Sequence, residues 1–449
     1  MDKKREFSRS NWFILILFGM IGQIAWSVEN MYFNLFVFET VAPSLETVTL
    51  MVQLSGITAT VITLIAGTVS DKIGNRRAFI SWGYIIWGIT VAVFGFLSPE
   101  LSEKLFGLDA EKAVTFTLAL VVVADCIMTV FGSTANDAAF NAWVTDNTEA
   151  SYRGKVEGIL SILPLIALLV VAGGFGIIVG AIGYDMMFLI LGVLISACGV
   201  FGLFRVKDKN GLSKSGSMKD IFYGFKLSVI KNNAPFYVSL LIILVYGIAC
   251  QIFMPYMVIY MSTYLGFSII EYSAVFAIAI LGGAGLNVFL TRVSDKMDKT
   301  KLLYASSAVM AAGLLFMYFS KGGEKITNII LFGLSGFVMI TGYIFTSALC
   351  GSTIRDYTPE GDVGKLQGVR MVFSVLIPML LGPMIGNAIN AKQNIPLPDM
   401  DSADTMTTSY IPAPEIFLAA SLVMLLTFAV IPVLSKLSKS KENKALKTK

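Results

Sequence analysis

Three acidic residues lie inside strongly apolar stretches, where an ionised carboxylate is costly. Glu29 lies in the run from Ile21 to Phe38, and no lysine or arginine occurs within sixteen residues of it. Asp125 and Asp137 lie farther along, in a second apolar region. A charged side chain at the centre of a membrane helix costs on the order of 2.5–3.5 kcal/mol. Such acids are tolerated when they face water, bind a cation or carry a proton.

These carboxyl groups indicate cation handling, and the coupling ion is a proton or sodium. Burial favours the neutral form of a carboxyl group, and a neighbouring acid favours it further. Glu29 and Asp125 can therefore take up and release a proton although the sequence contains no histidine. The alternative for Glu29 is a structural role, as a protonated acid hydrogen-bonded to another helix. For Asp137 the alternative is a role in closing the inner side of the protein.

The composition is typical of a membrane protein and excludes several kinds of site. Hydrophobic residues make up 55% and charged residues 14% of the 449 residues, whereas soluble domains carry about a quarter charged residues. Without histidine, neither a histidine-ligated metal nor a Ser-His-Asp triad is possible. The four cysteines lie in apolar runs without metal-ligand spacing, so we expect no disulfides and no cofactor apart from the coupling ion.

Apolar runs separated by charged or Pro/Gly-rich breaks predict twelve membrane spans, numbered here in chain order. The predicted limits are 12–38, 46–69, 78–98, 113–144, 156–181, 185–204, 235–262, 272–293, 302–320, 326–354, 367–390 and 413–435. The break between spans 5 and 6, at AIGYD, is the least distinct. The first span follows a basic N-terminus and is too long for a signal peptide, so we expect it to be retained.

The distribution of lysine and arginine predicts the orientation. With the N-terminus inside, the outside loops contain only five of the 34 basic residues: Lys104, Lys112, Lys321, Lys325 and Lys392. This asymmetry predicts that both termini are cytoplasmic. We therefore expect an integral protein of a bacterial inner membrane, with a basic linker at 205–234 and a basic tail at 436–449.

Two pairs of loops repeat within the chain. The loop DNTEASYRGKVEG after span 4 and the loop DYTPEGDVGKLQG after span 10 share Asp, Thr and Gly-Lys-x-x-Gly at an offset of 210 residues. The loops SDKIGNRR and SDKMDKTK, after spans 2 and 8, repeat at an offset of 224 residues. The chain is therefore predicted to contain two parallel six-helix halves, 1–204 and 235–435.

The loop after span 2 has a more specific sequence, GTVSDKIGNRR. It matches the pattern G-x-x-x-D-K/R-x-G-x-K/R-K/R at six positions, Gly67, Asp71, Lys72, Gly74, Arg76 and Arg77. With twelve spans and the internal repeat, the chain resembles the major facilitator superfamily over nearly its whole length. NDAAFNAWVTD and IRDYTPEGDVGKLQG further resemble the glycoside–pentoside–hexuronide:cation symporters and their sucrose-transporter-like relatives. The chain departs from melibiose-type members because span 2 contains no buried acid.

The resemblance implies an inner gate formed by this loop and its neighbours. In the family, such a cluster latches the two halves through ion pairs and a helix N-terminus. We expect Arg77 to pair with Asp146 and Asp71 to face the N-terminus of span 11 near Gly368. The other predicted gating residues are Gly67, Gly74, Arg76, Arg153, Asp295 and Asp356. The alternative is that these charges only set the topology.

Other polar and aromatic residues of the spans are candidates for lining a cation or substrate site. The predicted set comprises Trp26, Asn30 and Asn34 in span 1, Gln53 in span 2, Tyr246, Gln251, Tyr256 and Tyr260 in span 7, Asn287 in span 8 and Tyr343 in span 10. Aromatic faces with amide donors suit sugars, although packing and interfacial anchoring also use such residues. At the repeat offset Asp125 corresponds to Ser335, so the acids are confined to one half.

These observations predict an all-α, twelve-helix secondary transporter that works by alternating access. The expected activity is cation-coupled symport of a small polar solute, with a glycoside as the first candidate. The alternatives are a proton-coupled exporter of amphipathic compounds and a membrane sensor or scaffold that does not transport. We see no nucleophile–base or metal constellation for an enzyme. The expected partners are a small solute and the lipid bilayer, with no nucleic acid, and the protein is expected to be a monomer.

Overall fold

A computed structural model gives the structure of the protein. It describes residues 8–149, 152–208, 218–294, 297–320, 323–359, 363–397 and 410–447. These residues are almost entirely helical, and they divide into two compact units that meet in sequence between Met218 and Lys219. The predicted fold class, an all-α membrane protein, is confirmed.

The first unit contains the helices that were predicted as spans 1 to 6. Span 1 is Arg9–Val41, span 2 is Leu45–Ile73, span 3 is Arg76–Phe96 and span 4 is Ala110–Asn147, and Gly158–Arg205 follows as one helical stretch. Gly183 divides this stretch, because its φ of 82° and ψ of 168° are not helical. Such a left-handed φ favours glycine. Spans 5 and 6 therefore meet inside the predicted AIGYD break.

The second unit contains spans 7 to 12. They are Ala234–Tyr264, Ile269–Leu290, Lys299–Phe319, Lys325–Tyr357, Leu366–Gln393 and Glu415–Leu437. Within the described residues, eleven helices are long and apolar enough to cross a membrane, and the division at Gly183 makes twelve spans. The final helix continues to Lys447, beyond the predicted end at 435, because no proline or glycine interrupts the sequence after Pro432.

Several short elements between the spans were not predicted from the sequence. The helix Pro99–Phe106 lies between spans 3 and 4, and Met218–Phe225 and Leu227–Asn232 precede span 7. The strands Ile395–Pro396 and Tyr410–Ile411 pair antiparallel between spans 11 and 12. These elements are too short to produce the long apolar periodicity that identifies the spans.

Small residues bring helix backbones close together in both units. In the first unit, a Cβ at Gly88 of span 3 would collide with the carbonyl oxygen of Gly192 in span 6, and a Cβ at Gly192 would collide with that of Gly88. In the second unit, Gly313 of span 9 and Gly342 of span 10 are packed in the same way against each other's helix backbone. This close packing of small residues is typical of membrane helices.

Two of the predicted functional acids lie in π-helical segments. Glu29 begins the segment Glu29–Phe33 in span 1, and Asp137 lies in Ser133–Phe140 in span 4. A π-helical turn widens the helix, leaves local backbone groups outside the regular pattern and occurs frequently at functional sites. Both acids therefore sit where the regular helix of their span is interrupted.

Candidate functional site

Glu29 is buried in the first unit and is held by hydroxyl groups from two other spans. Its Oε1 accepts a hydrogen bond from Ser55 Oγ of span 2 at 2.7 Å and lies 3.4 Å from Thr129 Oγ1 of span 4. Only 8% of the residue is exposed. Its second oxygen, Oε2, is buried and makes no hydrogen bond. Glu29 therefore retains an unused acceptor inside the helix bundle.

Asp125 belongs to the same cluster. It is 2% exposed, its Oδ1 is buried without a hydrogen-bond partner, and it interacts electrostatically with Glu29. Thr129 lies one turn further along span 4, donates to the Asp125 carbonyl oxygen at 2.9 Å and lies 3.1 Å from Ser55 Oγ. Glu29, Asp125, Ser55 and Thr129 thus form one cluster, called here the acid cluster.

The acid cluster has no basic partner among the described side chains, whose ion pairs all lie near the ends of the spans. Two ionised carboxylates at this depth would repel each other and would lack solvation. The arrangement is stable when the cluster holds at least one proton or when a monovalent cation is bound by its oxygen atoms. The residues present fit either ion, because carboxylate and hydroxyl oxygens are ligands for hard cations as well as acceptors for a proton.

Asp137 lies near the acid cluster, further along span 4, and lines a small cavity. Its Oδ1 accepts from Asn136 Nδ2 at 3.1 Å, and the carboxylate interacts electrostatically with Glu29. The cavity measures about 70 Å³, and its lining residues are Gly19, Gln23, Asn136, Asp137, Phe140, Asn141, Leu160 and Leu163. Four polar side chains thus face a space between spans 1, 4 and 5.

The remaining candidates of spans 1 and 2 are placed differently from one another. Trp26 packs against Trp87 with ring centroids 5.0 Å apart and lies beside Asp137. Asn30 is exposed and donates to the Trp26 carbonyl oxygen at 2.7 Å, whereas Asn34 is buried. Gln53 is partly buried in span 2. Of these candidates in span 1, Trp26 is therefore the one that lies beside a buried acid, Asp137.

In the second unit the candidates form a neutral polar surface. Tyr246 lies 5.7 Å from Tyr343 between ring centroids, and its hydroxyl donates to the Tyr343 carbonyl oxygen at 3.3 Å. Ser347, the repeat counterpart of Asp137, also lies near the Tyr246 hydroxyl. Gln251 packs against Gly382 of span 11. Hydroxyl and amide groups thus characterise this region, and none of its described residues is a buried acid.

Three other candidates of the second unit are packed into it. Tyr256 is fully buried and donates to the Pro383 carbonyl oxygen at 2.9 Å. Tyr260 is also fully buried, among aromatic rings that include Phe417. Asn287 is buried and donates to the Thr341 carbonyl oxygen at 3.1 Å. All three side chains contribute to helix packing in this structure.

The loop between spans 2 and 3 forms a network around Arg76. Gly74, with φ 70°, ends span 2, and Asn75 caps the next helix by accepting from Ala78 N at 3.0 Å. Arg76 is therefore the first residue of span 3, and its side chain is buried. It pairs with Asp71 and, through Nε, with Asp146 Oδ2 at 3.1 Å.

The predicted pairing of Arg77 with Asp146 is wrong. Arg77 instead donates through its guanidinium to the Leu203 carbonyl oxygen, and its backbone N–H donates to Asp208 Oδ1 at 3.0 Å. Because the helix restarts at Arg76, the two arginines point in different directions, and Arg76 reaches the carboxylates. Gly67, at the start of the loop pattern, has no neighbour within 4 Å of the position of a Cβ.

The second unit carries a related ion pair at the equivalent aspartate. Lys299 pairs with Asp356, the repeat counterpart of Asp146, and donates to Ser352 Oγ at 2.8 Å. Both charged side chains are about half exposed, at 48% and 49%, whereas that of Arg76 is 7% exposed. Asp295 and the side chain of Arg153, also predicted for the gate, lie outside the described residues.

Sequence reasoning missed Ser55 and Thr129, the two hydroxyl partners of Glu29. In span 2 the predicted candidate was Gln53. A signal for Thr129 was present, because Asp125, Thr129, Ser133 and Asp137 recur every fourth residue and thus share one face of a helix. No comparable spacing distinguishes Ser55 from the other polar residues of span 2.

The family and the fold are indicated by comparison with known proteins. The model of a family described as Major Facilitator Superfamily matches residues 12–383 and 239–447. No match to a curated protein is found. A point mutant of the nucleoside transporter NupG is similar in structure, with a TM-score of 0.66, 12% identity and coverage of 94% of this chain and 99% of that chain.

A second similar structure is a bacterial homologue of the human lysosomal transporter Spinster, in an inward-facing and unoccupied conformation. It has a TM-score of 0.66 and 13% identity, and the match covers 97% of this chain and 98% of that chain. At such identities the likeness establishes the shared fold of the chains. What each neighbour transports is a property of that neighbour.

Proposed function

The chain belongs to the major facilitator superfamily, and from this premise we propose that it is a cation-coupled symporter of a small polar solute. The protein is an integral membrane transporter and not an enzyme. The observation that carries the coupling proposal is the acid cluster, in which two buried carboxyl groups have unused oxygen atoms and no basic partner among the described side chains. Cation or proton binding in this cluster would be linked to solute binding during alternating access.

The neutral polar surface of the second unit supports a sugar or glycoside as the solute. Tyr246, Tyr343, Ser347 and Gln251 offer aromatic faces, hydroxyl groups and an amide, which together suit a polyhydroxylated molecule. The sequence resemblance to the glycoside–pentoside–hexuronide:cation symporters points to the same class. Nucleosides, which the neighbour NupG is named for, also carry a sugar and belong in the same screen.

We propose that the ends of spans 2 and 3 next to Arg76 face the cytoplasm of a bacterial cell. The lysine and arginine distribution of the loops supports this orientation. The arrangement around Arg76 would form the inner gate, with Asp71 and Asp146 as its carboxylates. We propose that the protein works as a monomer, with the lipid bilayer and a small solute as its partners.

Uptake by the purified protein in liposomes tests the coupling proposal. A panel of radiolabelled monosaccharides, disaccharides and nucleosides is offered with an inward proton gradient, an inward sodium gradient or neither. We expect one solute class to accumulate above equilibrium with one of the two gradients, and we expect Glu29→Gln to abolish that accumulation. Glu39→Gln is the matched control, because it removes a carboxylate of the same span that accepts from Tyr184 at 2.7 Å, outside the acid cluster.

Other outcomes would contradict the proposal in distinct ways. Full accumulation by the Glu29→Gln variant would return Glu29 to a structural role. Gradient-driven loss of amphipathic compounds from preloaded vesicles, without sugar uptake, would identify an exporter. Binding of a solute without transport in either direction would identify a sensor.

Cysteine labelling tests the proposed orientation separately. In a variant lacking the four native cysteines, a single cysteine replaces either Lys104 or Lys231, both of which are exposed. A membrane-impermeant maleimide added to intact cells should label position 104 and not position 231. The reverse pattern would place the N-terminus outside.

A further inference from the structure

A polar face of span 4 joins the acid cluster to the cavity beside Asp137. Thr129, which contacts Glu29, is followed one turn later by Ser133 and then by Asp137. The Ser133 hydroxyl is fully buried, lies near the Asp137 carboxylate and makes no close hydrogen bond. The two acids are also near enough to interact electrostatically. A hydroxyl group that can both accept and donate a proton thus lies near Asp137 and one turn from the residue that contacts Glu29.

The cavity is suited to water and not to a large ligand. A single water molecule needs roughly 10–15 Å³ of such space, and the cavity offers about 70 Å³. Gln23, Asn136, Asp137 and Asn141 give it four polar walls, so water inside would find hydrogen-bond partners. Asn141 is exposed, so one wall of the cavity is accessible from outside the first unit.

We propose that Asp137 is a proton-transfer station that exchanges protons between Glu29 and water in this cavity. The proposal rests on the proposed function, with the proton as the coupling ion. One water molecule would bridge Glu29 and Ser133. The Glu29 O–H bond breaks as its proton passes to this water, a proton of the water passes to Ser133 Oγ, and the proton of Ser133 passes to the Asp137 carboxylate. The Asp137 O–H bond then breaks and a cavity water takes the proton, which leaves Glu29 ionised and Ser133 neutral.

The ionisable groups around Asp137 are consistent with this path. Span 1 contributes Glu29 and span 3 contributes the Tyr84 hydroxyl, whereas Asp125 of span 4 lies beside Glu29. Span 2 has no charged residue between Glu46 and Asp71, and the part of span 5 that lines the cavity is apolar. No ion pair to Asp137 occurs among the described side chains.

Tyr84 fixes the geometry of the cavity and does not take part in the transfer. Its hydroxyl lies 2.8 Å from the Phe18 carbonyl oxygen and 2.9 Å from Asn136 Oδ1. The hydroxyl has one hydrogen, and these two acceptors lie within hydrogen-bond distance of it. With its Oδ1 facing Tyr84, Asn136 presents its Nδ2 to Asp137 at 3.1 Å.

Time-resolved infrared spectroscopy after a pH jump tests the path with the proton as the only probe. The full chain in liposomes should show the carbonyl stretch of protonated Glu29, identified by its absence in Glu29→Gln. We expect Asp137→Asn to keep the final amplitude of this band but to slow its appearance on the order of 10²-fold, the effect of losing one positioned proton-transfer group. Glu39→Gln should leave the rate unchanged.

Ser133→Ala provides a second variant in case Asp137→Asn fails to fold. With Asp137 intact, it should also slow the appearance of the Glu29 band. Unchanged rates in both variants would overturn the path and leave the proposed coupling at Glu29 intact. A changed amplitude with an unchanged rate would make Asp137 only an electrostatic neighbour. Absence of the Glu29 band in the wild-type protein, or its dependence on sodium and not on pH, would overturn the path together with proton coupling.

Discussion

Span 4 of the first unit and span 10 of the second occupy equivalent positions in the repeat but carry different chemistry. Span 4 has Asp125 and Asp137 where span 10 has Ser335 and Ser347. Asp125 meets Glu29 and has a buried oxygen without a partner, whereas Ser335 donates to the Leu331 carbonyl oxygen of its own helix at 2.7 Å. An architectural need of the fold would apply to both copies. The difference therefore supports cation handling in the first unit and solute contacts in the second.

The same asymmetry appears at the helix ends. Arg76 in the first unit is buried between Asp71 and Asp146, and Lys299 in the second is half exposed beside Asp356. Removing the carboxylates would leave the buried guanidinium as an uncompensated charge, and removing the arginine would leave the carboxylates without their cation. A half-exposed pair is screened by water and contributes little. The two ion pairs share the equivalent aspartates Asp146 and Asp356, and they should differ in what they contribute to stability.

The largest effect is expected from a matched pair of substitutions in spans 4 and 10. Asp125→Asn should abolish gradient-driven accumulation of the solute, because one acid of the cluster can no longer ionise. Ser335→Ala should keep accumulation near the wild-type level, since the Ser335 hydroxyl bonds only within its own unit. Uptake into liposomes measures both. Equal losses in the two variants would remove the proposed division between the units.

A large effect on stability is expected when the buried arginine is removed. Arg76→Ala should destabilise the protein by about 1.5–3 kcal/mol, because Asp71 and Asp146 lose a charged hydrogen-bond partner but are partly solvated. Lys299→Ala should cost no more than about 1 kcal/mol, because its pair with Asp356 is exposed. Thermal unfolding of the purified proteins in one detergent compares them. Similar losses of stability would show that burial does not distinguish the two ion pairs.

A smaller effect is expected from Ser55→Ala. Whether the variant changes the pH dependence or the sodium dependence of accumulation identifies the ion. Ser55 donates to Glu29 Oε1 at 2.7 Å and so stabilises the ionised carboxylate. If the ion is a proton, losing this donor makes proton binding easier, and half-maximal accumulation should move to higher pH. If the ion is sodium, the variant loses an oxygen ligand and should need more sodium. Each shift should be roughly 10- to 100-fold in ion concentration, because a hydrogen bond to a charged group contributes about 1.5–3 kcal/mol.

Ser102→Ala is the control for this experiment. Ser102 is also buried in the first unit, but its hydroxyl lies 2.7 Å from Thr117 Oγ1, away from the acid cluster. It should leave the dependence on both ions unchanged. A shift of the same size in Ser102→Ala would mean that loss of any buried hydroxyl disturbs the unit, and Ser55 would lose its specific role.

The spans could be predicted from sequence because a membrane helix needs a long apolar run, and such runs are visible without a structure. The break at Gly183 could be predicted for the same kind of reason, since glycine interrupts the run between spans 5 and 6. Buried acids are equally visible as exceptions to an apolar pattern. Glu29 and Asp125 could therefore be proposed as neighbours before their contacts were known.

The contacts themselves depend on helix phase, which the sequence does not fix at a break. Gly74 and Asn75 end one helix and start the next, so the direction of Arg76 relative to Arg77 depends on the turn geometry. Pro255 lies in a 3₁₀ turn in span 7, which changes the direction of Tyr256 and places it against span 11. The π-helical segment at Glu29 shifts the phase of span 1 in the same way.

The smallest effect is expected at the N-termini of spans 3 and 9, which are equivalent in the repeat. A different carboxylate accepts a backbone hydrogen bond at each of them. In the first unit Asp208 accepts from the backbone N–H of Arg77, and in the second Asp298 caps its own helix by accepting from Thr300 N at 2.8 Å. Burial raises the pKa of the Asp208 carboxyl, and the hydrogen bond from Arg77 and the charges of Arg76 and Arg77 only partly oppose it. The folded state thus disfavours ionised Asp208.

The sign of the pH dependence follows from this shift. A carboxyl whose pKa is raised on folding reduces stability as the pH rises above its unfolded value of about 3.9. Asp208→Asn should therefore raise the free energy of unfolding near pH 7 by less than about 1 kcal/mol, because the group is partly exposed, and the gain should vanish near pH 4. Asp298→Asn should change little at either pH, since asparagine caps a helix as well as aspartate does. Destabilisation by Asp208→Asn at neutral pH would instead show that the negative charge at the start of span 3 outweighs the cost of burying it.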